Sequence, residues 1–274
     1  MRSTEFNWFR TFLEQQSGII ISEDKLYLVQ SRLKPLLRQH QISDLNQLAK
    51  HIKYHASSDI SQQAIDAMTT NETLFFRDQY PYDALETLVF PELSHAKGIS
   101  SPIHIWSAAA SRGQEAYSIA IAANESIAQA QKRVRILGTD LSPTAIAYAK
   151  AAIYSQMEVQ RGMPVTRLVR FFSQQGTHWH VAKDIKNMVQ FETANLTEDK
   201  LVSQVRRFGP FDVVFLRNVL IYFSAEERKK VIDRIARSMR KGGYLITGAT
   251  ETPEGLNSKW EAVLFKGKRL WKLQ

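Results

Sequence analysis

Hydrophobic residues follow two different periods along this chain. Over residues 1–75 they recur every three or four positions, which is the spacing of one face of an α-helix. From Ile103 onward, short apolar runs typical of buried strands alternate with stretches of helical period. We therefore predict an all-helical domain over residues 1–75 and a mixed α/β domain over residues 76–274. The apolar positions with helical spacing in the first region are Phe6, Phe9, Phe12, Leu13, Leu26, Val29, Leu33, Leu36, Leu37, Leu45, Leu48 and Ile52.

The second region predicts an open sheet covered by helices on both faces, because strands that alternate with helices form mostly parallel sheets. Its last two strands are separated only by residues 266–269, so we expect an antiparallel hairpin at the end of the sheet. The predicted strands are Ile103–Trp106, Val134–Gly138, Met188–Thr193, Phe211–Leu216, Tyr244–Thr247, Ala262–Phe265 and Leu270–Leu273. The predicted helices are Gly113–Ala130, Pro143–Ala151, Pro164–Phe172 and Ala225–Arg240.

Two local patterns refine this scheme. The connection from Tyr154 to Lys186 is too long for one helix, and Thr177–Val181 alternates like a strand, which indicates a small β insertion over about residues 173–190. Ser224 and Glu227 have the spacing of a capping box, and Gly242–Gly243 predicts the end of the same helix. In the first region, Ser22 and Ser43 stand where helix N-caps are expected.

Composition narrows the classes of protein. The chain has no cysteine, which excludes disulfides and thiolate catalysis within it. Its amino terminus has no apolar run and no segment has the roughly 20 apolar residues of a membrane helix, so we expect a cytoplasmic protein without membrane insertion. The net charge is +9, and all of the excess lies after residue 75. Such a basic domain suits nucleic acid, an anionic membrane surface or an acidic protein.

A candidate cofactor site begins at the first predicted strand. Ile103–Ser118 reads as a strand, a turn of small residues and a helix, and the next strand ends in Asp140. Small residues let a nucleoside approach the backbone, and an acid at that strand end can accept hydrogen bonds from ribose hydroxyls. The turn has one glycine, Gly113, instead of G-x-G-x-x-G, which disfavours a nicotinamide cofactor. A parallel sheet that ends in an antiparallel strand is typical of S-adenosylmethionine-dependent methyltransferases.

Other polar residues stand at predicted strand ends, and each has a purely structural alternative. Glu115 could face the methionine part of such a cofactor or could stabilise the helix dipole. Asn195–Leu196 could contact adenine, although asparagine is also a common turn residue. Asn218 and Tyr222 are the polar exceptions in an apolar loop. His178 and His180 would share a strand face, but without a third ligand we expect no metal site.

Four sequence blocks together resemble the CheR-type chemotaxis receptor methyltransferases over nearly the whole chain. The resemblance implies a Rossmann-like class I methyltransferase sheet preceded by a helical domain. It also implies methyl transfer from S-adenosylmethionine to glutamate side chains on the cytoplasmic helices of chemoreceptors, which gives γ-glutamyl methyl esters and S-adenosylhomocysteine. The blocks are Thr70–Arg77, Trp106–Ser118, Gly138–Ser142 and Gly209–Phe223.

The same resemblance assigns roles to individual residues. Arg77 and Tyr222 would lie nearest the reacting carboxylate. A basic helix with Arg32, Lys34 and Arg38 would dock on the receptor. Arg112 and Gln114 depart from the family, which usually has a small hydroxyl residue and a glutamate at these positions. The residues implied to bind the cofactor are Asn71, Thr73, Arg77, Glu115, Asp140, Asn195, Leu196, Asn218 and Val219.

We expect a monomer whose partners are the cytoplasmic domains of methyl-accepting chemotaxis receptors. The β insertion is shorter than in relatives that bind a receptor tail peptide, so we expect binding that does not depend on such a tail. A nucleic-acid methyltransferase is the main alternative, but residues 217–220 lack the Asn/Asp-Pro-Pro-aromatic motif that stacks a flipped base. A non-catalytic receptor-docking module is the other alternative, and it would be expected to lose the cofactor residues that this chain keeps.

Overall fold

The computed structural model describes residues 3–56, 58–98, 101–249, 251 and 259–274, and these fall into two compact units. The first unit comprises Met1–Thr70 and Tyr222–Glu227. The second comprises Asn71–Ile221 and Arg228–Gln274. The described helices include none that is both long and apolar enough to cross a lipid bilayer.

The first unit is helical, as its hydrophobic period predicts. Its α-helices are α1 (Ser3–Ser17), α2 (Leu26–Gln39), α3 (Leu45–Tyr54) and α4 (Asp59–Met68), and a short 3₁₀ turn (Glu23–Lys25) precedes α2. All of the predicted apolar positions except Leu26 and Leu37, which are half-buried, lie in the core of this unit, where Phe9, Leu13 and Val29 are among the fully buried residues.

Of the two predicted N-caps of the first unit, Ser22 stands at the predicted position and Ser43 does not. The N-cap of α3 is Asp44 instead of Ser43, because the Asp44 carboxylate accepts hydrogen bonds from the amides of Asn46 and Gln47. Ser22 precedes the 3₁₀ turn but makes no side-chain capping bond. A local sequence pattern does not decide which of two neighbouring polar residues, here Ser43 and Asp44, caps the helix.

The second unit contains a seven-stranded sheet in the order β6-β2-β1-β7-β8-β10-β9. All of its pairs are parallel except those of β10, which runs antiparallel to both β8 and β9. The predicted class I methyltransferase sheet with a terminal antiparallel hairpin is therefore confirmed. The strands of this sheet are β1 (Ile103–Ser107), β2 (Val134–Asp140), β6 (Val189–Thr193), β7 (Phe211–Leu216), β8 (Met239–Thr247), β9 (Trp260–Phe265) and β10 (Lys268–Leu273).

Helices of the second unit pack on this sheet, and α7 among them is buried along nearly its whole length. Their bounds are α5 (Tyr80–Ala84), a π-helical segment (Leu85–Val89), α6 (Phe90–Lys97), α7 (Gln114–Ser126), α8 (Ala130–Arg133), α9 (Pro143–Ala151), α10 (Gln156–Gln160), α11 (Val165–Phe171), α12 (Lys183–Lys186), α13 (Leu201–Val205) and α14 (Ala225–Ser238). Short 3₁₀ turns lie at Arg206–Phe208 and Leu220–Tyr222.

A smaller antiparallel sheet in the order β3-β5-β4 forms the predicted β insertion. Its strands are β3 (Ile153–Ser155), β4 (Phe172–Gln175) and β5 (His178–Val181). The sequence pattern indicated β5 but not β3, which is only three residues long and directly follows α9. The insertion therefore begins earlier in the chain than the predicted residues 173–190.

The end of α14 differs from the prediction. The amide of Glu227 donates to Ser224 Oγ at 3.1 Å, as expected for the start of the helix. However, the helix stops at Ser238, and Gly242–Gly243 lies inside strand β8. The register between β7 and β8 shifts after the Phe211–Met239 pair. The extra residues of β8 at this irregularity include the glycine pair.

Candidate active site

The turn between β1 and α7 lies at the carboxyl edge of the parallel strands. The amide of Ala110 donates to the carbonyl of Thr139 at 2.8 Å, which ties the turn to the end of β2. Gly113 precedes α7 with φ of 93°, and a Cβ there would lie 2.9 Å from the Ala149 Cβ and 3.1 Å from the Tyr154 hydroxyl. This position requires glycine both for its backbone conformation and for the space it leaves.

Asp140 ends β2 beside that turn. One of its carboxylate oxygens accepts from the amide of Ser111 at 2.8 Å, and the other accepts from the amide of Ser142 at 2.9 Å. Ser142 Oγ in turn caps α9 by accepting from the amide of Ala145 at 3.0 Å. Asp140 therefore shapes two loops, while Ser142 caps α9. A carboxylate oxygen can accept more than one hydrogen bond, so this arrangement is compatible with ribose hydroxyls as further donors.

Glu115 forms a buried ion pair with Arg217. Arg217 Nη1 lies 2.9 Å from Glu115 Oε2, and Ser107 Oγ donates to Glu115 Oε1 at 2.8 Å. The exposed fractions of the two side chains are 1% for Arg217 and 11% for Glu115. Burial raises the pKa of the Glu115 carboxyl, and the neighbouring Arg217 opposes that rise. The sequence predicted Glu115 but not its partner Arg217. A signal was present, since an arginine directly after the buried, apolar end of a strand requires an acidic partner.

Arg217 also holds the segment that precedes α5. Its Nη2 donates to the carbonyl of Arg77 at 2.9 Å and to the carboxylate of Asp78 at 2.8 Å. Phe76, Asp78 and Gln79 all have positive φ, which is unfavourable for residues other than glycine and persists only where neighbours hold it. The amide of Phe76 is held by Ser118 Oγ of α7 at 3.0 Å. The position of the Arg77 backbone is thus fixed from two sides.

The start of the same segment lies against the β1–α7 turn. The carbonyl of Asn71 accepts from Ser111 Oγ at 2.9 Å. Thr73 and Arg77 are half-buried, and Arg77 Nη1 contacts the carbonyl of Glu72 at 3.4 Å. Residues 71–77 therefore belong to the second unit, where they bring Asn71 next to the turn that Asp140 shapes.

The two predicted adenine contacts follow β6. Asn195 is buried and its Oδ1 accepts from the amide and the hydroxyl of Thr197, which is the asparagine turn expected as the structural alternative. Leu196 is also buried, and Arg234 of α14 donates to its carbonyl at 3.5 Å and to Asp199 at 3.0 Å. The sequence did not indicate this use of Arg234.

Asn218 and Val219 follow β7, at the same carboxyl edge of the sheet. Asn218 has φ of 56° and is half-buried, as is Val219. The amides of Asn218, Val219 and Leu220 all donate to the carboxylate of Glu251. Sequence patterns did not indicate Glu251, because it follows β8 whereas its partners Asn218 and Val219 follow β7.

The remaining predicted residues lie in the first unit. Tyr222 is half-buried, and its carbonyl accepts from the amide of Ile20 at 2.9 Å. Arg32 donates to the carbonyls of Met68 and Thr69 at 2.6 and 3.0 Å, so it ties α2 to the end of α4. Lys34 and Arg38 are exposed on α2. Arg32, one of the three predicted docking cations, therefore also stabilises the packing of α2 and α4 within the first unit.

The two departures from the family pattern have different surroundings. The Arg112 guanidinium lies 5.1 Å from the centre of the Tyr148 ring. The backbone carbonyl of Arg112 accepts from the Tyr154 hydroxyl at 2.8 Å. Gln114 is buried, and its Oε1 has no hydrogen-bond partner in the described part of the chain. The charge of Arg112 thus lies near Tyr148 of α9 and Glu158 of α10, whereas Gln114 leaves a buried acceptor unsatisfied.

The described residues fit S-adenosylmethionine. The opposite charges of Glu115 and Arg217 suit the ammonium and carboxylate of its methionine part, and Asp140 suits the ribose diol. The Nε of Arg217 is buried without a hydrogen-bond partner among the described residues, which leaves one donor for a ligand. Small residues in the turn after β1 give a nucleoside access to the backbone.

Known proteins are similar to this chain over both of its parts. The family model described as "CheR methyltransferase, SAM binding domain" matches residues 71–267, and "CheR methyltransferase, all-alpha domain" matches residues 4–69. Chemotaxis protein methyltransferase Cher2 of Pseudomonas putida is 39% identical over 264 residues, which are 94% of this chain and 94% of that protein. Chemotaxis protein methyltransferase 1 of Vibrio cholerae is 40% identical over 277 residues, which are 98% of this chain and 97% of that protein. Among solved structures, the rRNA methyltransferase aviRa from Streptomyces viridochromogenes aligns with a TM-score of 0.45 and 11% identity over 75% of this chain and 87% of that one.

Proposed function

Since this chain belongs to the CheR methyltransferase family, we propose that it methylates glutamate side chains on the cytoplasmic helices of chemoreceptors. The chain is a methyltransferase, and S-adenosylmethionine is its cofactor. The buried Glu115–Arg217 pair is the observation that carries the proposal, because it joins the acid that we assign to the cofactor to the backbone of Arg77. The names of the relatives supply the biological setting, which is chemotaxis. We place the reaction in the cytoplasm and expect the protein to act as a monomer.

The reaction needs no catalytic base. A glutamate side chain has a reference pKa of about 4.3, so it is already ionised at neutral pH. When bound, the cofactor supplies an electrophilic methyl group: a bond from methyl to carboxylate oxygen forms as the sulfur–methyl bond breaks, which leaves a neutral ester and S-adenosylhomocysteine. The task of the protein is to remove water from a weak nucleophile and to align one of its oxygens with the methyl group.

We assign that task to Arg77 and Tyr222, whose side chains would bind the second oxygen of the substrate carboxylate. A guanidinium and a hydroxyl can both donate to a carboxylate. The anchoring of the Arg77 backbone by Arg217 supports this role, because an orienting side chain is effective only when its own support is rigid. The role of Tyr222 rests on the family resemblance.

The cofactor roles rest on the family resemblance and, for Asp140, Asn195 and Asn218, also on positions at or just after strand ends. We assign Asp140 to the ribose hydroxyls and Glu115 to the methionine ammonium, while Asn195 and Leu196 contact adenine. The neighbouring Asn71, Thr73, Asn218 and Val219 complete the pocket. Lys34 and Arg38, which are exposed, and Arg32 form the basic face that meets the acidic receptor.

Methyl transfer from tritiated S-adenosylmethionine to purified receptor cytoplasmic fragments tests this proposal. We expect incorporation that is released as volatile methanol by mild base, since carboxyl methyl esters are base-labile. A fragment with alanine in place of its methylated glutamates should accept no label, and neither should RNA or duplex DNA. Label that resists base, or label that appears in nucleic acid, contradicts the proposed substrate.

A further inference from the structure

The carboxylate of Glu251 is enclosed by backbone amides. Its Oε2 accepts from the amide of Asn218 at 2.6 Å and from the amide of Gly248 at 2.9 Å. Its Oε1 accepts from the amides of Val219 and Leu220 at 3.0 and 2.9 Å. The residue is 8% exposed. Four backbone donors on one buried carboxylate are the pattern of an anion-binding nest.

The conformation of the loop after β7 matches this pattern. Asn218 has φ of 56°, which turns its amide and the two that follow toward the same point. Three consecutive amides directed at one point would repel each other without an anion between them. In the part of the chain that the structure describes, Glu251 forms no ion pair, so backbone dipoles are what balance its charge.

Glu251 itself is held in place at the end of β8. Its amide donates to the carbonyl of Gly248 at 3.0 Å, and its carbonyl accepts from Thr247 Oγ1 at 3.1 Å. A Cβ at Gly248 would lie 2.5 Å from Glu251 Oε2, so only glycine leaves room for the carboxylate there. The side chain thus joins the ends of two neighbouring strands, β7 and β8, through a single anion.

We propose that Glu251 is a positioning residue of the methyltransferase site, which acts through the backbone of Asn218–Leu220. The proposal rests on the function proposed above, because Asn218 and Val219 are assigned to the cofactor and Tyr222 follows on the same loop. Without the carboxylate, the left-handed conformation of Asn218 loses its stabilising anion, and the loop no longer presents these residues to the cofactor.

Substitution combined with chemical rescue tests this role. S-adenosylhomocysteine affinity of Glu251→Ala, measured by titration calorimetry, should fall at least about tenfold, and turnover should fall with it. Sodium formate at tens of millimolar should restore at least about a third of the lost affinity, while sodium chloride at equal ionic strength should not, because only a carboxylate refills the nest. A residue that merely stabilises the fold gives no such anion-specific recovery.

Two further variants separate the nest from general effects. Glu251→Gln is nearly isosteric but places an NH₂ donor against backbone donors, so it should lose affinity and resist formate rescue, since its amide fills the space. Glu261→Ala removes an exposed acid of β9 and should bind S-adenosylhomocysteine like the unmodified protein, with or without formate. If Glu251→Ala does not fold, Glu251→Gln still provides the measurement.

A folded Glu251→Gln protein with unchanged affinity overturns the proposal, and so does a folded Glu251→Ala protein that formate does not rescue. These binding measurements need no receptor. Failure of the unmodified protein to methylate receptor fragments would therefore count against the proposed substrate and leave the role of Glu251 to be judged by its own data.

Discussion

At the scale of single residues, Asp140 combines local structure with ligand binding. Its carboxylate holds the amides of Ser111 and Ser142, and the proposed cofactor adds ribose hydroxyls as donors. Asp140→Ala should weaken S-adenosylhomocysteine binding by about 1.5–3 kcal/mol, the range for hydrogen bonds to a charged group. Titration calorimetry measures this, and circular dichroism controls for the two loops. Unchanged affinity in a folded variant would remove Asp140 from the site.

Tyr222 gives the sharpest test of the proposed mechanism. Tyr222→Phe keeps the ring and deletes only the hydroxyl, so folding should be almost unaffected. If that hydroxyl orients the substrate carboxylate, the methylation rate should fall at least about tenfold, which corresponds to roughly 1.4 kcal/mol of barrier. S-adenosylhomocysteine affinity should stay within about twofold, because a contact made in the transition state lowers turnover more than ground-state binding. Near-normal turnover, with methyl transfer shown to limit the rate, would leave Tyr222 as a packing residue.

The sequence indicated the acids of this site better than the groups that hold them. Asp140 could be selected because it ends a predicted strand, and Glu115 because it follows a predicted turn of small residues. Arg217, Arg234 and Glu251 did not, because their partners are far along the chain: Arg217 reaches Asp78, and Glu251 reaches Asn218. Local patterns show which residues end a strand, but only the folded sheet shows which ends are neighbours.

At the scale of elements, the strands with long apolar runs were predictable and the boundaries near glycine were not. Phe211–Leu216 is buried at every position, and its predicted bounds are those observed. Gly242–Gly243 resembled a helix stop, because glycine commonly follows helices. The pair instead lies in β8 where the register with β7 shifts, and register depends on a partner strand that the local sequence does not contain.

Gly162 links α10 and α11 and supports the segment with Asn71 and Arg77. Its φ is 87°, and a Cβ there would lie 2.0 Å from the carbonyl oxygen of Phe75. Gly162→Ala should therefore displace this segment, lower the melting temperature and weaken S-adenosylhomocysteine binding about tenfold or more. Gly176→Ala is the matched control, since it also has positive φ but no atom within 4 Å, and it should cost only about 1 kcal/mol of stability. Equal behaviour of the two variants would show that the Phe75 contact does not matter.

The β insertion makes a separate prediction about receptor binding. Strands β4 and β5 are joined by only Gly176 and Thr177, which agrees with the short loop expected from the sequence. An insertion without an extended loop offers little surface for a tail peptide. We therefore expect no micromolar affinity for an isolated peptide from a receptor carboxy-terminal tail, measured by fluorescence anisotropy. Micromolar binding that is lost when the hairpin is altered would contradict this expectation.

At the scale of the whole molecule, charge is divided between the two parts of the chain. Residues 1–75 have equal numbers of acidic and basic side chains, whereas the rest of the chain carries the entire excess of +9. The proposed docking cations nevertheless lie on α2 of the neutral part, where Lys34 and Arg38 are exposed. The net positive charge after residue 75 would then attract an acidic receptor at long range, while the exposed cations of α2 would contact it locally.

This division predicts how methylation depends on salt. Raising sodium chloride from 50 to 300 mM should lower kcat/KM for a receptor fragment by roughly tenfold, because steering of an acidic partner is screened. S-adenosylhomocysteine affinity should change less than about twofold, since the buried Glu115–Arg217 pair is shielded from salt. Lys34→Glu and Arg38→Glu should each reduce the slope with salt, while Lys53→Glu, an equally charged exposed position on α3, should reduce it less. If Lys34→Glu and Arg38→Glu keep the slope of the unmodified protein, the field of the second part alone guides the receptor, and α2 loses its assignment as the docking helix.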